Sequence, residues 1–496
     1  MNFDVKKIRS GIRESVPSID RAGLDVGQNE AYTYVPPSHA KALDPDSSLI
    51  EGIRGAGKSF WWSALASETH KGFISAAFPD AHLSDSVAIA HGFGDALSAS
   101  IPSKDVIASL VAKKLPPRAL WRAVLAEMAG FSGDYKVSVA GSKSNWEGKV
   151  RWVVDNPEGF DEQLREVDSA LEKKGRHLVI LFDALDRLAD TWEEIRPLAR
   201  SLLQVGLDVR ATRRIRFKMF VRPDMLEDRE IIGFPDASKL LARRTALNWR
   251  RVDLYALLFQ CVGNSPSGGA NFRSFVKEKF DSPYKKIGRF WAISHELRAD
   301  ESLQEKLFIA IAGKAMSASP TGQKRGKPYS WLVNHLQDGR DQVSPRSFSE
   351  ALRQAAEGTK NEFPAHRLPL HFTAIQVGVQ AASQVRVDEL VKEDYPWVDT
   401  LMRPLKGVLT VPCTSRDINA IWKKSKVLSE LQSSAEDPSA LVKLPPQRLD
   451  EGHEGVLADL EGLGVVQRLT DGRIQMPDVY RIAFGLGRRG GVKPLK

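Results

Sequence analysis

The hydrophobic positions in residues 47–255 follow two alternating patterns. Several short runs are almost continuously apolar, as in strands buried on both faces of a parallel sheet. The predicted strands lie at about 49–52, 73–78, 178–183, 215–221 and 245–249. Between them, segments such as 118–130 and 157–175 place apolar residues at helical spacing and end at glycine. This alternation predicts an α/β fold, in which helices flank a parallel sheet on both faces.

Beyond residue 255 the pattern becomes helical, and a different order of elements follows near the carboxyl end. Segment 452–464 places its apolar residues at helical spacing. Two short strand patterns come next, joined by the turn signal Thr470-Asp471-Gly472, and a last helix is predicted from 479 to 486. Helix, two-stranded wing and helix in this order resemble a winged-helix domain.

These patterns divide the chain into four predicted regions. Residues 1–46 are predicted to form a leader, and residues 47–255 the α/β core, with a helical insertion at about 92–175. Residues 256–365 are predicted to form a helical lid, and residues 366–496 a C-terminal helical and winged-helix domain.

Composition adds the class of protein. The 496 residues are 42% hydrophobic and 27% charged, which is typical of a globular protein with about three domains. Cys261 and Cys413 are the only cysteines and lie far apart, so we expect neither a disulfide framework nor a cysteine-based metal site. The chain starts without an apolar signal core and has no run of about 18 apolar residues. We expect a cytoplasmic protein with no membrane contact.

The strongest chemical pattern is Gly52-Ile-Arg-Gly-Ala-Gly-Lys58-Ser59, which fits the phosphate-binding loop G-x-x-x-x-G-K-[ST]. Its glycines let backbone N–H groups face phosphate oxygens, Lys58 reaches the β- and γ-phosphates, and Ser59 can bind Mg²⁺. The pattern indicates ATP or GTP. The predicted nucleotide-binding residues are Gly52, Arg54, Gly55, Ala56, Gly57, Lys58, Ser59 and Phe60.

A second pattern supplies the acidic residue that a phosphate-binding loop needs for its metal ion. The apolar run from His177 ends at Asp183, and a carboxylate at the carboxyl end of a parallel strand projects into the ligand crevice. Asp183 is therefore the predicted partner of Ser59 in holding Mg²⁺. The alternative is a buried strand that ends at a solvated aspartate.

Together the two motifs resemble the P-loop ATPases that include AAA+, STAND and KAP-like proteins, which implies ATP and Mg²⁺ as cofactors. In these families the strand commonly ends D-D-x-D-R or D-E-x-D-R, whereas here Ala184 follows Asp183. The carboxylate that polarises the attacking water is thus missing from its usual position. Asp186 or a carboxylate on a neighbouring strand can take that role; otherwise the protein binds ATP and turns it over slowly, as a nucleotide switch does.

The same resemblance implies two arginine sensors of the γ-phosphate. Arg222 follows the predicted strand 215–221 and matches the sensor at the end of the strand next to the metal-binding one. Arg346, in the first turn of a helix that begins with Ser344-Pro345, matches the arginine of a lid helix. The alternatives are a loop arginine at 222 and a solvated arginine at 346. Arg243 and Arg244 can be arginine fingers for a neighbouring subunit, although a solvated face is the more common explanation.

The net charge of +9 permits contact with nucleic acid without requiring it. The helix before the wing is acidic, so phosphate repulsion opposes its insertion into a DNA groove. The basic residues of the wing and tail are Arg468, Arg473, Arg481, Arg488, Arg489 and Lys493. We therefore favour a module for protein docking or self-association, with at most non-specific DNA contact through the wing.

Two functions follow. In the favoured one, the chain is an ATP-dependent switch whose nucleotide state controls lid closure, self-association or partner docking. In the alternative, it is a DNA-binding ATPase, a regulator or a loader similar to origin-recognition ATPases, which contacts duplex DNA through the winged helix. Proteins with a similar architecture often serve in prokaryotic antiviral defence, and a third possibility is a nucleotide-locked scaffold without turnover.

Overall fold

The computed structural model describes residues 4–15, 30–81, 83, 86–94, 100–132, 135–136, 145–318, 325–436, 445–489 and 492–494. The chain forms two compact units. The first spans Val35–Asn248, and the second combines Met1–Tyr34 with Trp249–Lys496. The segment predicted as a leader thus contributes to both units, with the change at Tyr34.

The strands of the described residues are β1 (Leu49–Glu51), β2 (Val87–Phe93), β3 (His177–Phe182), β4 (Ile215–Val221), β5 (Thr245–Ala246), β6 (Lys285–Ile287), β7 (Phe290–Ala292), β8 (Thr410–Val411), β9 (Gln467–Arg468), β10 (Ile474–Gln475) and β11 (Gly487–Arg488). The helices of the first unit are α2 (Pro37–Leu43), α3 (Lys58–Ala66), α4 (Glu68–Ala77), α5 (Lys104–Ala112), α6 (Pro117–Ala129), α7 (Trp146–Asp155), α8 (Pro157–Lys173), α9 (Trp192–Val209), α10 (Pro223–Glu227), α11 (Arg229–Ile232) and α12 (Ala237–Leu241). Those of the second unit are α1 (Val5–Ser15), α13 (Arg251–Gly263), α14 (Gly269–Phe280), α15 (His295–Ala299), α16 (Glu301–Ala312), α17 (Pro328–Asn334), α18 (Pro345–Glu362), α19 (Phe372–Asp388), α20 (Pro396–Met402), α21 (Ser415–Lys424), α22 (Val427–Glu436), α23 (Gly452–Gly462) and α24 (Asp478–Arg481).

The first unit is built on a five-stranded sheet in the order β2-β3-β4-β1-β5, with every neighbouring pair parallel. This confirms the predicted α/β fold. Strand β4 lies between β1 and β3. Its Met219 pairs in register with Leu49 of β1 on one side and with Phe182 of β3 on the other. The carboxyl ends of β1, β4 and β3 therefore lie side by side, and the three predicted motifs of the core follow these three strands.

Strand β4 contains a buried lysine. Lys218 is only 1% exposed, and its ammonium donates hydrogen bonds to the carbonyl oxygens of Ala42, Asp44 and Ser47 at 2.6, 2.8 and 2.7 Å. An ammonium has three donors, and all three are used here. Lys218 thus fixes the segment that leads into β1.

One predicted strand is wrong. Residues 73–78 fall largely in helix α4, whose cap Ser67 accepts a hydrogen bond from the backbone N–H of His70. His70, Phe73 and Ile74 are buried together because positions i, i+3 and i+4 share one face of a helix. The actual second strand, β2, contains alanine and glycine, so its sequence gives a weak strand signal.

Helices α5 to α8 occupy the region predicted as a helical insertion between β2 and β3. Helix α6 packs on α9, where the indole N–H of Trp121 donates to the carbonyl oxygen of Leu198 at 2.8 Å. The insertion is therefore joined to the sheet layer by a buried aromatic anchor.

The second unit is mainly helical, and α18 packs closely along α19. A Cβ at Gly378 would lie 2.1 Å from the carbonyl oxygen of Ala351, so only glycine permits this approach. Helix α1 also packs on α18, and Arg9 donates to the carbonyl oxygen of Pro369 at 2.9 Å. In the described ranges no helix has both the length and the apolar character needed to cross a membrane.

The carboxyl end has the element order predicted for a winged helix. Helix α23 is followed by the antiparallel hairpin β9–β10, whose turn includes Gly472 with a φ of 82°. The last helix is shorter than the predicted 479–486, since α24 ends at Arg481. Gly485 then takes a φ of 73°, which lets the chain turn into β11 beside β8.

Candidate functional site

The phosphate-loop motif forms the connection from β1 to α3. Gly55 and Gly57 have φ angles of 75° and 105°, which side-chain-bearing residues rarely adopt. A Cβ at Gly52 would lie 3.3 Å from both Ala56 Cβ and Lys58 Cγ, so this position is also sterically restricted. The helix begins at Lys58, directly after Gly57. The loop thus has the tight turn into a helix N-terminus that phosphate binding requires.

Lys58 turns back over its own loop. Its ammonium donates to the carbonyl oxygens of Gly52 at 2.8 Å and Ile53 at 3.1 Å. Removal of this group from water lowers the pKa of Lys58 to about 8, although the negative charges of Asp183 and Asp186 oppose the shift. The lysine is therefore held at the loop, close to two carboxylates.

Ser59 and Asp183 lie close together. Asp183 follows β3 and is 2% exposed, and the hydroxyl of Ser59 is near enough to its carboxyl to influence the pKa of that group. Burial raises the pKa of the Asp183 carboxyl, and the Ser59 hydroxyl and the Lys58 charge offset this only in part. A buried carboxylate next to a hydroxyl is a pair of hard oxygen donors of the kind that Mg²⁺ prefers. The two predicted metal ligands therefore fit the ion.

Ala184 occupies an unusual backbone position. Its φ and ψ are 55° and 39°, in the left-handed region, where a residue with a Cβ is strained by roughly 1–2 kcal/mol. This turn carries the chain from β3 into the short helical turn Leu185–Arg187, which holds Asp186. The strained turn brings Asp186, two residues beyond the usual position of the catalytic carboxylate, back toward the site.

Asp186 lies in a cluster of opposite charges. Its side chain is 27% exposed and lies 3.4 Å from the guanidinium of Arg222. Burial favours the neutral acid, but the charges of Arg222 and Lys58 outweigh it and lower the pKa of Asp186 below its ordinary value. Asp186 is therefore ionised at neutral pH and able to accept a proton.

Arg222 is fixed by a third aspartate. Its Nε and Nη2 donate to the two oxygens of Asp224, both at 3.0 Å, while Nη1 faces Asp186. This two-pronged pairing sets the orientation of the planar guanidinium. The sequence analysis did not select Asp224; the signal was its spacing of two residues from Arg222, across Pro223.

The remaining nucleotide-loop residues lie where the motif places them. Arg54, Gly55 and Ala56 form the loop itself, and Phe60 lies in the first turn of α3. The ring of Phe60 packs edge-on against that of Trp61, with 4.9 Å between ring centroids. Trp61 in turn donates its indole N–H to Nδ1 of His39 at 3.1 Å. The first turn of α3 is thus anchored from the side of α2.

Arg346 belongs to the second unit, as the first turn of α18. Its Nη1 donates to Glu389 Oε1 at 2.7 Å, and this carboxylate is almost buried. Glu389 begins the π-helical segment Glu389–Asp394 that continues α19. Arg346 is therefore not a freely solvated arginine, and its role as a sensor remains a prediction.

The arginine-finger candidates lie just before β5. Arg244 Nε lies 3.2 Å from Glu51 Oε2, at the end of β1, and its side chain is half-exposed. Among the described residues no group of three or more histidine, cysteine, aspartate or glutamate side chains has the arrangement of a protein-only metal site. An ion at Ser59 and Asp183 would therefore need phosphate oxygens and water to complete its shell.

No protein-family profile matches the sequence, and no curated protein matches it. Two solved structures resemble it over most of its length. The crystal structure of Cdc6p from Pyrobaculum aerophilum has a TM-score of 0.29 and 11% sequence identity, and the match covers 92% of this chain and 93% of that chain. The ORC2 protein of Aeropyrum pernix, in ADPNP–ADP complexes, has a TM-score of 0.30 and 12% identity, with 90% and 93% covered. Similarities this weak carry no weight for function.

Proposed function

We propose that this protein is a P-loop ATPase that binds Mg·ATP between the ends of β1 and β3 and hydrolyses it slowly. The observation that carries the proposal is the proximity of Ser59 to the buried carboxyl of Asp183, which brings together the ends of two motifs 124 residues apart in sequence. A chance match to the loop pattern would not be expected to place a buried carboxylate there. Lys58 and Arg222 lie within the same charge cluster.

Each side chain has a proposed part in the reaction. Lys58 exchanges its loop carbonyls for β- and γ-phosphate oxygens, and Ser59 and Asp183 hold Mg²⁺. When bound, Mg²⁺ neutralises charge on the phosphate oxygens. Asp186 accepts a proton from the attacking water, and Arg222 binds the γ-phosphate through the edge that now faces Asp186. Because Nη1 of Arg222 cannot serve both partners equally, the γ-phosphate and Asp186 compete for this arginine.

The departure at Ala184 supports slow turnover. Asp186 has a lowered pKa and is engaged by Arg222, so it is a weaker base than a free carboxylate. A slow enzyme remains in its ATP-bound state for long periods, as a switch requires. We therefore propose that nucleotide state controls lid closure, self-association or partner docking, with Arg346 as the sensor of the helical lid.

The charges of the C-terminal domain speak against the DNA-binding alternative. Arg481 is fully buried, where it bonds Asp478 and two carbonyl oxygens. Arg468 pairs with Glu461 at 2.7 Å, and Arg473 with Asp471 at 2.7 Å. The wing therefore has few cations left for phosphates. The narrower resemblance to STAND or KAP-like ATPases, and a part in antiviral defence, rest on the sequence alone.

The proposal is tested by purifying the protein with and without Mg·ATP and measuring phosphate release and particle mass together. We expect slow, Mg²⁺-dependent phosphate release in the wild type and release reduced at least about a hundredfold in Lys58→Ala and Asp186→Ala. We also expect the mass, or the hydrodynamic radius, to depend on nucleotide. Phosphate release that is undiminished in Lys58→Ala would refute the ATPase, and a particle unaffected by nucleotide would refute the switch.

A further inference from the structure

The hairpin formed by β6 and β7, here called the basic hairpin (residues 285–292), carries charge that the nucleotide site does not use. Its sequence is Lys285-Lys286-Ile287-Gly288-Arg289-Phe290-Trp291-Ala292, and no acidic residue occurs from 282 to 295. Together with the second half of α14, residues 273–292 contain six basic and two acidic residues, a net charge of +4. The whole chain has a net charge of +9, so twenty residues hold nearly half of the surplus.

The cations of this region are exposed. Lys277, Lys279, Lys285 and Lys286 all lie at the surface, and none of the ion pairs found within the described part of the chain includes one of them. Arg289 is 74% exposed and lies 3.3 Å from Glu30, so that pair leaves most of the guanidinium accessible. The two acidic residues of the segment are Glu278 and Asp281. The surface charge is therefore largely uncompensated.

Aromatic rings lie among these cations. The guanidinium of Arg273 is 4.4 Å from the ring centroid of Trp291, and the ammonium of Lys286 is 5.8 Å from the same ring. Arg289 lies 4.7 Å from the ring centroid of Phe290. Both rings are half-buried, so part of each remains open to solvent. Cations beside aromatic faces form a surface on which unpaired bases can stack while phosphates are neutralised.

The hairpin is held rigidly. Gln260, which is fully buried, donates to the carbonyl oxygen of Trp291 at 2.9 Å and accepts from the N–H of Ile293 at 2.9 Å. Asn264 donates to the same carbonyl at 2.8 Å and accepts from the N–H of Trp291 at 2.9 Å. Buried Tyr284 donates to the carbonyl oxygen of Phe259 at 2.7 Å. A surface fixed in this way loses little conformational entropy when it binds a ligand.

We infer that the basic hairpin is a nucleic-acid contact surface that binds the phosphodiester backbone. The wing offers a direct contrast: residues 445–489 contain six basic and seven acidic residues, so their net charge is −1. Electrostatic attraction to phosphates therefore favours the hairpin over the wing. The inference is independent of ATP binding, since the hairpin and its anchors all belong to the second unit.

The test uses the full-length protein and two fluorescent 30-nucleotide probes, one duplex DNA and one single-stranded DNA of the same sequence. Anisotropy is measured from 50 to 200 mM salt for the wild type and for Lys285→Gln/Lys286→Gln. The matched control is Lys423→Gln/Lys424→Gln, another adjacent pair of exposed lysines in the second unit, at the end of α21. Thermal melting verifies that both variants fold.

We expect wild-type binding that weakens steeply with salt. Loss of two phosphate contacts should weaken binding at least about tenfold and reduce the slope of log affinity against log salt by about two, whereas the control pair should change neither. Tighter binding of the single strand, lost in Trp291→Ala, would assign base stacking to the hairpin and support the inference further. Absence of wild-type binding at 50 mM salt, equal losses in both double variants, or equal competition by poly-glutamate would overturn it.

Discussion

The ends of β1 and β3 form the two halves of one site, yet they differ in how closely they follow the expected pattern. At the end of β1, the glycines, Lys58 and Ser59 all occupy their expected positions. At the end of β3, Asp183 fits, but Ala184 replaces a carboxylate and adopts a left-handed conformation. The half that binds phosphate is complete, whereas the half that activates water is altered.

This difference separates affinity from turnover. Binding depends on charges and donors at β1 and on the metal pair, all of which are present. Hydrolysis depends on Asp186, whose negative charge is partly neutralised by Arg222 at 3.4 Å. We therefore expect a protein that binds ATP with high affinity but hydrolyses it slowly.

Lys58→Ala should have the largest effect, because it removes the positive charge from the complete half. We expect ATP binding to weaken strongly and turnover to fall about a thousandfold, the upper range for loss of one electrostatic contact in a transition state. Isothermal calorimetry and phosphate release measure the two quantities. Lys239→Ala, at an exposed ion pair of the same unit, is the control and should change neither.

Asp186→Asn should lower turnover without lowering ATP affinity, because it changes only the half of the site that activates water. Loss of a general base costs about a hundredfold or more in turnover, whereas ATP affinity should remain within a few-fold of the wild-type value. Asp190→Asn, at an exposed position four residues later, should retain activity. If Asp186→Asn hydrolyses ATP at the normal rate, another carboxylate activates the water and the proposed role of Asp186 is wrong.

Asp224→Asn tests whether Asp224 orients the guanidinium of Arg222. Its effect, on the preference for ATP over ADP, should be smaller than that of Asp186→Asn on turnover. The neutral amide cannot form the two-pronged charged pair, so Arg222 loses its fixed orientation. We expect the preference for ATP over ADP to fall about tenfold, in line with roughly 1.5–3 kcal/mol for a hydrogen bond to a charged group. Equal ratios of the two nucleotide affinities in Asp224→Asn and the exposed control Asp236→Asn would contradict this role.

The smallest effect is on stability, through His39, which accepts a hydrogen bond from Trp61 and so supports the start of α3 next to the phosphate loop. Burial lowers the pKa of His39 to about 3, so the ring stays neutral in the folded protein while the unfolded chain takes up a proton below pH 6.5. Stability should therefore fall as pH decreases from 6.5 toward 3, by about 1.4 kcal/mol per pH unit. Urea unfolding at pH 7.0 and 5.5 measures this, and His39→Asn should reduce the difference between the two pH values. The same dependence on pH in both proteins would show that His39 is not its source.

The comparison also shows what could be predicted from the sequence. The phosphate loop and the strand ending at Asp183 are local patterns, and their spacing was sufficient to place them. The hairpin β9–β10 was predicted because Asp471-Gly472 demands a turn. By contrast, residues 73–78 have an apolar pattern that is compatible with a strand or a helix. The N-terminal cap at Ser67 favours the helix that the structure shows.

Contacts between distant residues outside these two motifs could not be predicted. Arg346 donates a hydrogen bond to Glu389, which lies 43 residues later in the chain, and neither local sequence pattern indicates this pairing. Arg481 was counted among the basic residues of the tail, but its bond to Asp478 and its burial remove it from the surface. Charge counts along a sequence do not reveal which cations are compensated, and only the fold distinguishes the wing from the basic hairpin.

The central claim is that Ser59 and Asp183 face one Mg·ATP. Calorimetric titration of ATP into the wild type, with Mg²⁺ and with EDTA, tests it most directly, beside the same titrations of Ser59→Ala and Asp183→Asn. We predict Mg²⁺-dependent binding in the wild type and loss of the Mg²⁺ dependence in both variants. Absence of binding heat at several temperatures in the wild type, or a Mg²⁺ dependence that survives both substitutions, would contradict the claim.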